Sequence, residues 1–94
     1  MLKKIECGIG GKEFGFDYLS EIKETADSLG LVGKIFEKDD GSIKLIAEGE
    51  EKNLMEFAEY LSKLGSFNHP IQNFYVKWEE PTGEYEDFSI SNVK

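Results

Sequence analysis

The chain has 94 residues, 39% of them hydrophobic and 13% aromatic, with a net charge of -8 at neutral pH. That supplies one packed core and too little chain for two, so residues 1–94 are read as a single domain. The acidic balance disfavours nucleic-acid phosphates and anionic membrane surfaces as partners, because both repel it at long range.

No apolar run approaches bilayer-spanning length, and Met1-Leu2-Lys3-Lys4-Ile5-Glu6 lacks a signal-peptide stretch. A soluble, monomeric, cytoplasmic protein is the simplest expectation. Cys7 is the only cysteine, which excludes an internal disulfide and a cysteine-rich metal site.

Ile5, Cys7 and Ile9 alternate with Glu6 and Gly8, the period of a half-buried strand. The segment Gly10–Phe16 is punctuated by glycine and reads as a loop. Beyond it Leu19, Ile22, Ala26 and Leu29 fall at helical spacing, with Asp17 as the candidate N-cap and Gly30 as the C-terminal stop. The runs Val32–Glu37 and Ser42–Glu48 flank Lys38-Asp39-Asp40-Gly41, and an Asp-Gly step between apolar runs predicts a hairpin.

A second helix is expected from about Glu51 to Leu64, with Leu54, Phe57, Ala58, Leu61 and Leu64 on its apolar stripe and Gly65 ending it. Phe74, Val76 and Trp78 alternate with Tyr75 and Lys77 in a fourth strand, while Phe88 and Ile90 mark a short fifth. The order β-α-β-β-α-β-β predicts an α+β fold, the ferredoxin-like split β-α-β sandwich, with two helices on one face of an antiparallel sheet. Such a scaffold hosts many activities and does not fix one.

Four stretches carry a resemblance to a known family. They are Ala26-Asp27-Ser28-Leu29-Gly30-Leu31-Val32-Gly33, then Asp40-Gly41-Ser42-Ile43-Lys44-Leu45-Ile46-Ala47-Glu48-Gly49, then Val76-Lys77-Trp78-Glu79-Glu80-Pro81-Thr82-Gly83-Glu84-Tyr85, and finally Phe88-Ser89-Ile90. In this order and spacing they resemble the acylphosphatase family over nearly the whole chain. The resemblance implies hydrolysis of the carboxyl–phosphate bond of acyl phosphates without metal or cofactor. It also implies a glycine-rich phosphate loop ahead of the first helix, an arginine clamp at that helix's start, and a water-orienting asparagine late in the second strand.

Laid gaplessly on this chain, the arginine position falls on Leu19 and the asparagine position on Glu37. The phosphate-loop equivalent is Gly11, Lys12, Glu13, Phe14, Gly15, Phe16, Asp17 and Tyr18. Gly11, Gly15 and Phe16 suit a tight loop, whereas Glu13 and Asp17 add negative charge where an anion would sit. Lys12 is the loop's one cation, with Lys34 and Lys38 as candidate compensators, although a lysine supplies a point charge rather than a bidentate fork.

Each position also has a structural reading. Leu19 fits the helix's core stripe, Asp17 an N-cap and Glu37 a solvated strand end. The sharper reading of Asp17 is a carboxylate that occupies the anion cradle itself. Together Glu13, Asp17 and Glu37 could instead hold a hard cation, though no dedicated spacing supports it. His69 before Pro70 reads as a turn residue, Cys7 as inert packing, and Ser20 lacks a partner base.

Two functions follow. The first is an acylphosphatase-like domain that has lost efficient hydrolysis and acts as a binding or interaction module for a protein or a small molecule that is not strongly anionic. The alternative is an active acyl phosphate hydrolase that uses loop amides and Lys12.

Overall fold

The computed structural model describes residues 1–11, 16–63 and 71–91. Its elements are β1 (Leu2–Gly11), α1 (Phe16–Ser28), β2 (Val32–Glu37), β3 (Ile43–Glu50), α2 (Glu51–Lys63), β4 (Ile71–Glu79) and β5 (Phe88–Ser91). The strands form one five-stranded sheet in the order β4-β1-β3-β2-β5. Every pairing is antiparallel except the edge pair β2–β5, which is parallel.

Alternation along each strand decides which face is buried. Ile5, Cys7 and Ile9 of β1 stand in register with Ala47, Leu45 and Ile43 of β3, and all six are buried. Ile35 joins them from β2, Phe88 from β5, and Leu19, Ile22, Ala26, Leu54, Phe57 and Leu61 from the helices. Phe57 meets Phe88 edge to face, with ring centroids 6.1 Å apart, which ties α2 to β5 through the core. Burial pushes the Cys7 thiol up to about 12, so this cysteine is packing and not a nucleophile.

The helices cover one face: α1 packs on β2 and β5, and α2 on β1 and β3. Gly30, at φ 70°, ends α1 in the left-handed region. The Leu31 N–H donates to the Ala26 carbonyl at 3.0 Å and the Gly30 N–H to that of Asp27 at 3.0 Å, a Schellman motif closed by buried Leu31 and Ala26. The predicted hairpin is present, and Gly41 takes φ 88° at its turn. Asp40 fastens that turn by accepting from the Ser42 amide at 2.9 Å and the Ser42 hydroxyl at 2.6 Å.

Two expectations are corrected. Gly10 and Gly11 belong to β1 rather than to a loop, because β4 pairs with β1 along its length and absorbs the irregularity as a register shift between Gly10 and Gly11. Phe16 opens α1 rather than closing the loop, so Asp17 lies inside the first turn and is not the N-cap. Trp78 shares the side of Ile5 by register but is 45% exposed, because β4 is an edge strand. The readings of Leu64, Gly65 and His69 lie outside the described residues. Among the described residues no helix is long and apolar enough to cross a membrane.

Candidate functional site

Topology brings Gly11, the start of α1 and the end of β2 to one end of the sheet. β1 leaves the sheet at Gly11 and α1 begins at Phe16. Because β3 is antiparallel to both β1 and β2, β2 ends at that same end. Ile9, Ile43 and Glu37 form a single row across β1, β3 and β2. Glu37 shares the helix-facing side of β2 with buried Ile35 and is itself half-buried. The sheet therefore places this carboxylate at the same end as the exit of β1, with β3 between the two strands.

The first turn of α1 supplies the other half. The positive end of its dipole favours an anion at this terminus. Asp17 stands exposed in that turn. Leu19, two residues further, is 6% exposed and packs into the core with Ile22 and Ala26. Tyr18 lies partly buried against the core, and burial, then the charge of Glu21, raises its hydroxyl pKa. The segment 12–15, with Lys12, Glu13, Phe14 and Gly15, lies outside the described residues, as does the side chain of Phe16.

Of the two candidate compensating lysines, one is misplaced. Lys34 alternates with Gly33 and Ile35, so it projects from the face opposite the helices, its ammonium 5.9 Å from the Phe36 ring centroid. It is on the wrong side of the sheet to meet a ligand at α1. Lys38 stays at the right end, in the exposed hairpin turn, where its N–H donates to the Ser42 carbonyl at 2.7 Å. For the cation reading, Glu13 is undescribed, and among the described residues no three His, Cys, Asp or Glu side chains converge.

The helix-free face carries groups that the sequence reading did not single out. Tyr75 lies across Gly8, whose missing Cβ makes room for the ring. Its hydroxyl donates to Glu6 at 3.1 Å, and Lys44 reaches the same carboxylate at 3.4 Å. The Tyr75 hydroxyl, then Lys44, hold the Glu6 carboxyl below its ordinary value. Glu48, also on this face, is 5% exposed and accepts from the Thr82 amide at 3.0 Å, the Thr82 hydroxyl at 2.6 Å and the Gly83 amide at 3.0 Å. The partner that fastens the Pro81-Thr82-Gly83 turn lies 34 residues earlier, beyond the reach of any local spacing.

With this geometry in hand, comparison with known proteins is specific. The family model of acylphosphatases matches residues 9–90. The acylphosphatase of Caldanaerobacter subterraneus subsp. tengcongensis is 31% identical over 90 residues, covering 96% of this chain and 99% of the relative. That of Thermotoga maritima is 38% identical over 76 residues, covering 81% of this chain and 80% of the relative. The crystal structure of acylphosphatase from Bacillus subtilis superposes with a TM-score of 0.83 at 27% identity, covering 97% of this chain and 99% of that one. Full-length HypF, solved in a phosphate- and nucleotide-bound form, shares the fold over 12% of its own length, with a TM-score of 0.84 at 22% identity.

Proposed function

We propose that this chain, which belongs to the acylphosphatase family, hydrolyses the carboxyl–phosphate bond of acyl phosphates. The observation that carries the reading is end-to-end correspondence with a curated acylphosphatase, of which the chain covers 99%. The site end fits that chemistry, since the α1 N-terminus provides a fixed positive field beside the exit of β1.

In this reading the amides of the β1–α1 connection and of the first turn of α1 bind the phosphoryl oxygens, and Lys12 supplies the positive charge. Water attacks phosphorus, the phosphorus–oxygen bond to the acyl group breaks, and the carboxylate departs. Asp17 and Glu37 work against a dianion at this end, so weak substrate binding is expected. A lysine in place of a bidentate fork adds to that weakness.

A second reading is favoured by one specific observation: Leu19, the gapless clamp position, is buried in the core and carries no charge. On that view the domain binds a partner and does not hydrolyse. Steady-state hydrolysis of benzoyl phosphate by the native protein and by Lys12→Ala separates the two. The hydrolase reading expects saturable turnover that falls on the order of tenfold to a hundredfold in kcat/KM without Lys12, the worth of one charge-assisted contact. Unchanged turnover in Lys12→Ala would remove Lys12 from the mechanism. Absence of turnover in the native protein would leave the binding reading.

A further inference from the structure

β4 and β5 lie at opposite edges of the sheet, so the connection 80–87 has to pass from one edge to the other. It does so at the end of the sheet remote from the candidate site, where Glu48 stands in one row with Lys4 and Glu79 on one side and Val32 on the other. The turn at Gly83, φ 73°, aims two successive amides at the Glu48 carboxylate, and the Thr82 hydroxyl adds a third donor. That hydroxyl also lies 3.2 Å from a Glu84 oxygen, but its one proton goes to Glu48, the nearer acceptor at 2.6 Å.

Beyond the turn, the strap formed by the connection and β5 is also held by α1, which packs on β5, by Ile90 against the core and by the Lys3–Glu80 ion pair at 3.6 Å. The Gly33 N–H donates to the Asp87 carbonyl at 2.8 Å. β5 has four residues and pairs with β2 alone. Phe88 inserts into the core against Phe57.

We propose that Glu48 is an acid-operated latch for this strap: charged, it holds 80–91 closed on its own sheet, and protonated, it lets the strap open while the central ladder of β1 and β3 stays formed. Opening competes with the burial of Phe88, so the latch sets the population of an open state rather than releasing the strap outright. The charged groups facing Glu48 are Lys4 of β1, itself 3.4 Å from Glu79 of β4, and Glu84 of the connection, with the Tyr85 phenol beside them; β2 contributes uncharged Val32. Burial alone would raise the Glu48 pKa, but the Thr82 hydroxyl and the two amides outweigh it and hold the carboxyl below its ordinary value. The latch therefore acts at full strength at neutral pH and fails as pH falls through that lowered value. It stands whether or not the chain turns over acyl phosphates.

Amide hydrogen exchange, corrected for intrinsic rates at each pH, tests it on native protein, Glu48→Gln and Thr82→Val. The reporters are the Gly33 amide and the β5 amides, with Ile5, Cys7 and Leu45 as internal references. In native protein the reporters should lose protection in acid before the references do. In Glu48→Gln they should already be lower at neutral pH, on the order of tenfold or more, with no further loss on acidification. If Glu48→Gln does not fold, as unprotected references would reveal, Thr82→Val carries the test with a smaller neutral-pH loss and a retained acid response. Reporters as protected at neutral pH as in native protein, in whichever variant folds, would overturn the latch. So would an acid response in Glu48→Gln parallel to that of native protein.

Discussion

Gly33 and Gly30 show how much a single backbone position can demand. Gly33 is buried at φ 147°, and a Cβ there would drive into the carbonyl of Ile46 on the neighbouring strand. Gly30 also has positive φ, yet a Cβ there would meet nothing within 4 Å. Both substitutions impose the left-handed strain of an L-residue, about 1–2 kcal/mol, but only Gly33→Ala adds a clash with rigid backbone. Chemical denaturation should show Gly30→Ala near that cost and Gly33→Ala at least about 2 kcal/mol beyond it. Equal losses would mean that β2 shifts away from β3 without penalty.

Among elements, α1 has to serve both the core and the site. Its stripe of Leu19, Ile22 and Ala26 is buried, while Asp17 in its first turn faces solvent. Leu19→Arg would force a guanidinium into that stripe and should lower stability by about 3 kcal/mol or more, with Leu19→Met within about 1.5 kcal/mol of native. An unchanged melting temperature in Leu19→Arg would show that position 19 opens toward the β1–α1 connection, where a clamping side chain belongs.

The elements also show what a single sequence makes legible. The alternation of Ile5, Cys7 and Ile9, the Asp40-Gly41 turn and the Gly30 stop each have local causes, and each was readable. Gly10 and Gly11 were not, because a glycine has no side chain to alternate and only the pairing with β4 keeps them in the sheet. Asp17 missed the N-cap by a short shift of the helix start, the boundary that spacing fixes least well. Glu48 looked like one more polar strand residue, since its three donors lie more than 30 residues away. At the candidate site, the elements framing it were legible, and so was the conflict between an anion site and the carboxylates of Glu13 and Asp17. That β2 turns Lys34 to the opposite face depends on register, and register is tertiary information.

At the scale of the whole molecule, charge governs the response to pH. Glu48 and Glu6 are both held below the ordinary carboxylate value of 4.5, the first by its Thr82 and Gly83 donors against burial, the second by Tyr75 and Lys44. A depressed carboxylate contributes its stability in full above the unfolded-chain value and loses it as pH falls through the folded value. Thermal unfolding should therefore show a stability plateau near neutrality and a decline beginning below about pH 5. Glu48→Gln should flatten part of that decline, whereas an identical acid profile in that variant would assign the loss to other carboxylates.

In the reading proposed above, this family scaffold still performs its family's chemistry despite Asp17 and Glu37 at the site end. The most direct test is hydrolysis of benzoyl phosphate by the purified native protein in the presence of a chelator. The expected result is saturable, metal-independent turnover above the uncatalysed rate that falls sharply in Lys12→Ala. A rate no greater than background, from protein shown to be folded, would contradict it and leave the chain as a binding domain on an acylphosphatase frame.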